Sequence, residues 1–573
     1  LTPRSISKLR GLSGRGALIA LPLAFLGLFF WWPLARLFQE GLHHEGGGLT
    51  LRYLSAVFTD PYLQGVIWFT AKQALLSTLL AGAIGLPWAY IFAHYRFPGR
   101  DLLRSLTLVP FVLPSITVAL GFVLFFGNNG HLNRLLMWMF HLEGPPLRVL
   151  YSLWGIVLAH AFYNAPIVIR MVGAAWERLD PSYEESAQAL GAGRLRRFLE
   201  VTLPLLLPSL MTSLALAFIF CFLSFPIVLA LGGARFSTIE VEIYTLVRVM
   251  LDYRLGAALA IVEILLSLGF TYGYIKLEGA FTRELETVRP RPTRPLLRPS
   301  PGRIPLYLFI ALSGVLFLGP LASVVYDSFT WGLGGSEGSS FTLEWYRFIL
   351  RPEYEALIGA PPLRAILNSF QFGLAAMALA VSVGLPISFV IARYRFRGRR
   401  LFDTLVMAPL GVSSVALGLA LLRAFLRPPL ELSGTWVAIA LAHAILAYPF
   451  VIRAVVPILE GLERGLVEAA RSLGASRWRA FLEVELPLIR RGLLVGAVFA
   501  FAISLGEMSA AIMLARPELK TMPLVINDLR AARSFGGASA MSVLLILTTG
   551  GAFAVIERLG ERLFSFGLSG RRL

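Results

Sequence analysis

Twelve mostly apolar stretches run through this 573-residue chain, near 17–38, 64–93, 103–126, 150–172, 205–231, 256–276, 304–326, 365–392, 402–424, 435–455, 491–515 and 539–557. A helix needs roughly 20 such residues to cross a bilayer. The pattern therefore predicts an all-α polytopic membrane protein. Composition agrees. Hydrophobic residues make up 56% and charged residues 15%, and the mean hydropathy is +0.70. A soluble domain carries about 25% charge. Disorder, a secreted disulfide scaffold and a plain cytosolic enzyme are poor fits. Cys221 stands alone, so no intrachain disulfide can form. Arg4, Lys8, Arg10 and Arg15 precede the first stretch as they would a signal peptide, but its apolar run is long and no small-x-small cleavage site follows. A retained span is expected.

The net charge is +18 and the pI about 10.4. In a soluble protein that would point to nucleic acid; in a greasy one it points to basic loops on one side of a membrane. With a cytoplasmic N-terminus and alternating spans, about 35 Lys and Arg fall inside and about 14 outside. Both termini are thus expected in the cytoplasm, with no nucleic-acid partner.

The chain is an internal repeat. Ala93-His-Tyr-Arg-Phe-Pro-Gly-Arg100 matches Ala392-Arg-Tyr-Arg-Phe-Arg-Gly-Arg399 at an offset of 299, as does Gly85-Leu-Pro87 with Gly384-Leu-Pro386. Leu158-Ala-His-Ala161 matches Leu441-Ala-His-Ala444 at 283, so the first half holds 16 extra residues, placed between Gly127 and Val149. Two six-span halves in the same orientation are expected, residues 1–280 and 304–573, related by a pseudo-twofold normal to the membrane. Residues 281–303, rich in Pro and Arg, read as an extended cytoplasmic linker, because proline breaks helix interiors.

One loop occurs twice, between the fourth and fifth spans of each half, near 180–204 and 463–487. Each copy has an acid, a small residue, an alanine and, six positions after the acid, a glycine; Val-x-Leu-Pro follows after nine more residues. Asp180 with Pro181 can open a helix. Tyr183, Ala187 and Leu190 then share one face. Gly191 and Gly474 let the chain leave in a left-handed conformation. Each copy is a short helix with an apolar stripe and an acid, suited to a partner.

This pattern, E-x-A-x3-G-x9-[IV]-x-L-P, resembles the EAA loop of permease subunits of bacterial type I ABC importers. By position the motif residues are Glu185, Ser186, Ala187, Gly191, Leu203 and Pro204, and Glu468, Ala469, Ala470, Gly474, Leu486 and Pro487. Ser186 departs from the usual alanine but stays small. The resemblance implies the type I permease fold, two coupling helices held by a homodimeric cytoplasmic ATPase, an extracytoplasmic solute-binding protein and solute passage by alternating access. It also implies that the chain is no enzyme: ATP and Mg belong to the partner. The sequence holds no G-K-[ST] phosphate loop. Ser224-Phe-Pro-Ile-Val-Leu-Ala-Leu-Gly-Gly233, Thr238-Ile-Glu-Val-Glu-Ile-Tyr244, Ser504-Leu-Gly-Glu507 and Lys520-Thr-Met-Pro523 are similar to the fused permeases that take up ferric iron or thiamine. Ferric iron is placed first and thiamine second.

Ionisable residues within spans usually face a protein interior or a wet path. Glu507, expected inside the eleventh span, its repeat counterpart Ser224 in the fifth, and Glu263 in the sixth are the candidates for a cation path. His160 and His443 are repeat partners expected to pack rather than bind metal, and no metal-ligand spacing stands out. The stretch Thr238–Tyr253 carries Ile243, Leu246, Val247 and Met250 at helical spacing. It would either seat the binding protein or pack over span ends. A proton-coupled secondary transporter is the competing reading, because Arg395–Arg400 is similar to the basic loop of major-facilitator carriers. The Gly and Asp usual upstream of that loop are missing, and the EAA loops have no place in that fold. A membrane-embedded enzyme would want clustered His and Asp/Glu within spans, which the sequence lacks.

Overall fold

The computed structural model describes residues 19–44, 48–233, 235–281, 293–296, 304–331, 340–351, 355–394 and 396–569. The N-terminal basic cluster, Glu45, most of the linker, Arg395 and the last four residues lie outside that set. Among the described residues, eleven helices have the length and hydropathy to cross a membrane, and a bent pair, Leu401–Gly411 with Ser414–Ala424, counted as one span makes twelve and is the ninth in order. The others, in order, are Ile19–Gly41, Pro61–His94, Ser115–Phe140, Leu153–Arg178, Arg194–Phe222, Tyr253–Gly279, Ile304–Ser328, Pro362–Arg393, Trp436–Gly461, Arg477–Gly506 and Phe535–Val555. The shorter elements used below are β1 (Tyr95–Arg96), α1 (Ser182–Ala189), α2 (Pro226–Leu231), α3 (Ile239–Tyr244), β2 (Arg294–Pro295), α4 (Arg464–Ser472), α5 (Ser509–Leu514) and α6 (Met522–Ala531).

Several stretches read from sequence as single spans are broken. The 103–126 stretch is a helix over Arg100–Val112, an extended Leu113, and a second helix from Ser115. Pro114 explains the break, since it forces the preceding residue out of the helical region. The equivalent pair in the second half turns through 102°. The 205–231 stretch stops at Phe222 and restarts as α2, with Pro226 in its first turn. The 491–515 stretch stops at Gly506 and restarts as α5. Glu507 and Ser224 therefore lie not inside spans but in the breaks that follow the eleventh and fifth, a correction that hydropathy alone could not supply. The inserted 127–149 segment contains a further helix, His131–Phe140. Within the linker, β2 pairs in parallel with β1, and Leu296 beyond it is buried.

Two compact units emerge, and they are not the sequence halves. One comprises residues 51–346 with 529–543; the other comprises 1–50, 347–528 and 544–573. The seventh span thus packs with the first half's helices and the first span with the second half's. In the former unit Gly121 lies against the Pro320 carbonyl and Gly319 against the Phe125 ring, so close that a Cβ on either would overlap its neighbour. His131 Nε2 sits 3.0 Å from the buried Asp327 carboxylate at the end of the seventh span. In the latter unit Arg423 grips Glu40 at the end of the first span through two hydrogen bonds, one of 2.7 Å. Bidentate guanidinium–carboxylate pairing of this kind fixes geometry as well as energy.

One close helix contact recurs in both halves. Gly85 in the second span meets Val168 in the fourth, and Gly384 in the eighth meets Val451 in the tenth; built Cβ atoms would lie 2.6 and 2.9 Å from the valine Cβ. These are repeat-equivalent pairs. Small residues permit this approach because lipid offers no hydrophobic drive for helix association, leaving close packing to hold spans together. Gly85→Leu or Gly384→Leu is expected to cost about 1–3 kcal/mol by overpacking, read as a lower thermal midpoint and yield of monodisperse protein in detergent.

Candidate coupling loops and helix breaks

The duplicated loop folds as its sequence implies. Asp180 Oδ1 accepts the Ser182 N–H at 2.9 Å and so opens α1. Gly191 leaves the helix at φ +85° and Gly474 leaves α4 at φ +91°, conformations a side chain would strain. Glu185, Ser186 and Gly191 are exposed and Ala187 is half-buried; Glu468, Ala469 and Gly474 are exposed and Ala470 is half-buried. Leu203 and Leu486 are half-buried and Pro204 and Pro487 exposed, each pair opening a long helix. Of the expected stripe, Tyr183 and Leu190 face solvent; so do their repeat equivalents Leu466 and Leu473, with Leu190 89% and Leu473 90% exposed. Paired apolar tips of this kind on short helices are what a partner would cover.

The helix breaks form a second constellation. A broken span strands backbone groups that lipid cannot satisfy. At the end of the fifth span, Gln73 Nε2 donates to the Cys221 carbonyl at 2.8 Å. That turns Gln73 Oε1 toward His160 Nδ1, 2.9 Å away, which then donates, and His160 Nε2, 2.7 Å from Ser224 Oγ, accepts. The Ser224 proton is committed to the imidazole, leaving its oxygen lone pairs for another donor or a cation. In the second half the position of Gln73 is Phe372, and that of Ser224 is Glu507. Glu507 Oε1 takes the Ala510 N–H at 2.7 Å, capping the restart as α5. His443 instead meets Ser504 Oγ at 2.7 Å, and its Nε2 has no hydrogen-bond partner among the described residues. Glu263 is fully buried in the sixth span. Among the described residues, no group of three or more His, Cys, Asp or Glu has metal-binding geometry.

Thr70 Oγ1 accepts the Ile239 N–H at the start of α3, 3.0 Å away, and Ser369 Oγ accepts the Met522 N–H at the start of α6, 2.8 Å away. These are the same bond in each half. With its apolar residues Ile243, Leu246 and Val247 buried, α3 and the turn after it pack over span ends, while Met250 is exposed. Sequence reasoning missed Thr70, Ser369 and Gln73. The first two were findable, since their positions differ by the repeat offset of 299 and their targets by 283.

Residues 85–276 and 384–563 each match the family of binding-protein-dependent transport system inner membrane components. The chain belongs to this family. It is a fused two-half permease of an ABC importer and a multi-pass protein of the inner membrane. The thiamine transport system permease protein ThiP of Brucella abortus is 29% identical over 92% of both chains. The "Putative ferric transport system permease protein FbpB 1" of Haemophilus influenzae is 27% identical over 90% of this chain and 80% of its own. Among solved structures, a chain of a bacterial ABC transporter involved in the import of the acidic polysaccharide alginate aligns over 49% of this permease and 99% of that chain, with 19% identity and a TM-score of 0.41.

Replacing Thr70 by Val or Ser369 by Ala strips a buried N–H of its acceptor, a loss of about 1–3 kcal/mol. The expected result is faster hydrogen exchange at Ile239 or Met522 respectively, with the spans themselves unchanged.

Proposed function

We propose that the permease couples a homodimeric cytoplasmic ATPase, which carries the ATP and Mg, to the passage of a small cationic solute delivered by an extracytoplasmic binding protein. The observation that carries this reading is the pair of exposed loop helices, α1 and α4, each with an acid and an apolar tip at matching positions. Both termini lie in the cytoplasm in this reading, which the excess of Lys and Arg in the loops on that side supports. In the coupling role, Glu185, Ser186, Ala187 and Gly191 present α1, and Glu468, Ala469, Ala470 and Gly474 present α4. Leu203-Pro204 and Leu486-Pro487 join them to the fifth and eleventh spans. ATP binding draws the two helices together and opens the pathway outward; hydrolysis resets it.

Along the pathway, Glu507, Ser224 and Glu263 are the residues assigned to the solute. A carboxylate and a hydroxyl oxygen, each held at a helix break by its neighbours, favour a cation. The solute in the first reading is ferric iron. Thiamine, also a cation, fits equally well, since relatives named for each solute cover nearly the whole chain. Uptake of labelled thiamine and of ferric ion into proteoliposomes holding permease, ATPase and binding protein decides between them; failure of both removes the cation reading. Glu507→Gln is expected to lower uptake at least about tenfold while the ATPase still associates. Glu185→Arg and Glu468→Arg are each expected to abolish stimulation of the ATPase by loaded binding protein. Normal stimulation and uptake in both would refute the docking role.

A further inference from the structure

The two loop helices are equivalent in backbone and unequal in attachment. Each is followed by a short helix, Arg194–Arg197 or Arg477–Ala480, and then by a π turn, Phe198–Thr202 or Phe481–Glu485, before its long span begins. The route from loop to span is thus the same in both halves. In the first half, side chains close it. Thr202 is buried at the end of the π turn and its Oγ1 donates to Glu184 Oε1 of α1 at 2.8 Å. Arg197 Nη1 donates to Gln188 Oε1 of α1 at 2.5 Å. The repeat equivalents of Glu184, Gln188, Arg197 and Thr202 are Val467, Arg471, Ala480 and Glu485. Val467 offers no acceptor and Ala480 no donor, so neither bond has a counterpart at α4.

The position of Thr202 is instead put to another use. Glu485 lies 3.5 Å from Arg393 at the end of the eighth span, with both side chains mostly buried. Arg393 in turn stands at the repeat position of His94, which packs edge-on against Trp176. The start of the fifth span is thus hydrogen-bonded to its own loop helix, while the start of the eleventh is paired with the eighth.

We propose that Thr202 and Arg197 are positioning residues that key α1 to the fifth span, and that α4 has no such key, so that one ATPase drives the two halves unequally. The proposal rests on the coupling role assigned above to α1 and α4. A displacement of α1 passes to the fifth span through two side-chain hydrogen bonds as well as the chain. A displacement of α4 has no counterpart of those two bonds among the described residues, while the Arg393–Glu485 pair holds the receiving end to the eighth span. Motion at the first half's break, with Ser224, thus follows the ATPase more tightly than motion at Glu507.

The test uses the full complex in proteoliposomes and reads solute uptake per ATP hydrolysed. Thr202→Val keeps the shape and removes the donor; it is expected to lower uptake per ATP about threefold to tenfold with ATP turnover retained, and Thr202→Ser to restore it. Arg197→Ala, at a half-exposed site that folding tolerates, is expected to act in the same direction, and the double substitution to exceed either. A Ser186→Cys crosslink to the ATPase is followed in parallel. Crosslinking retained in Thr202→Val with uptake per ATP equal to the unsubstituted complex, and likewise in Arg197→Ala, overturns the key while leaving the docking role intact. No crosslink in the otherwise unsubstituted complex overturns the docking role itself.

Discussion

Inside a bilayer, a backbone group freed from its helix has no water to turn to, and the interior of this permease is arranged around that constraint. The fifth and eleventh spans break, and each break is repaired by a side chain. Gln73 takes up the Cys221 carbonyl, and Glu507 caps the restart at Ala510. In the bent ninth span Ser413 caps Ala416. Thr70 and Ser369 hold the first N–H of α3 and α6. Several polar residues within the apolar stretches are thus accounted for by freed backbone groups, and Ser224 and Glu507 sit at the breaks where that repair takes place.

The duplication kept the backbone and let side chains diverge. The Gly85–Val168 and Gly384–Val451 contacts, the left-handed Gly191 and Gly474 and the π turns before the fifth and eleventh spans recur in both halves. The repeat equivalent of Gln73 is Phe372, that of Ser224 is Glu507, and that of Thr202 is Glu485. Fusion into one chain makes this possible. A homodimer must place the same residue at both positions, whereas here one break carries a Gln73–His160–Ser224 hydrogen-bond network and the other a carboxylate that caps the restart of the helix.

Much of this was legible before any coordinates. Hydropathy located the spans, because twenty apolar residues in a row have few other uses. The loop helices and their glycine exits were legible because a short amphipathic turn ended by glycine is a local matter. The breaks were not. A hydropathy window sees the same apolar run whether the helix continues or turns, and only Pro114 and Pro226 gave a local hint. The partners of His160 and Thr202 were also hidden, since both bonds join residues 18 or more positions apart.

By itself, then, the sequence determined a twelve-span membrane protein of two repeated halves, with paired loop helices built to meet a partner, because periodicity, spacing and turn chemistry are local and repeat themselves. The tertiary structure alone decided that the first and seventh spans pack with the opposite half's helices, that Glu507 and Ser224 lie in breaks, and that Thr202 and Arg197 hydrogen-bond to Glu184 and Gln188 of α1. Those outcomes depend on which surface covers which and on where a freed backbone group finds its partner, and neither is written in any local stretch of chain.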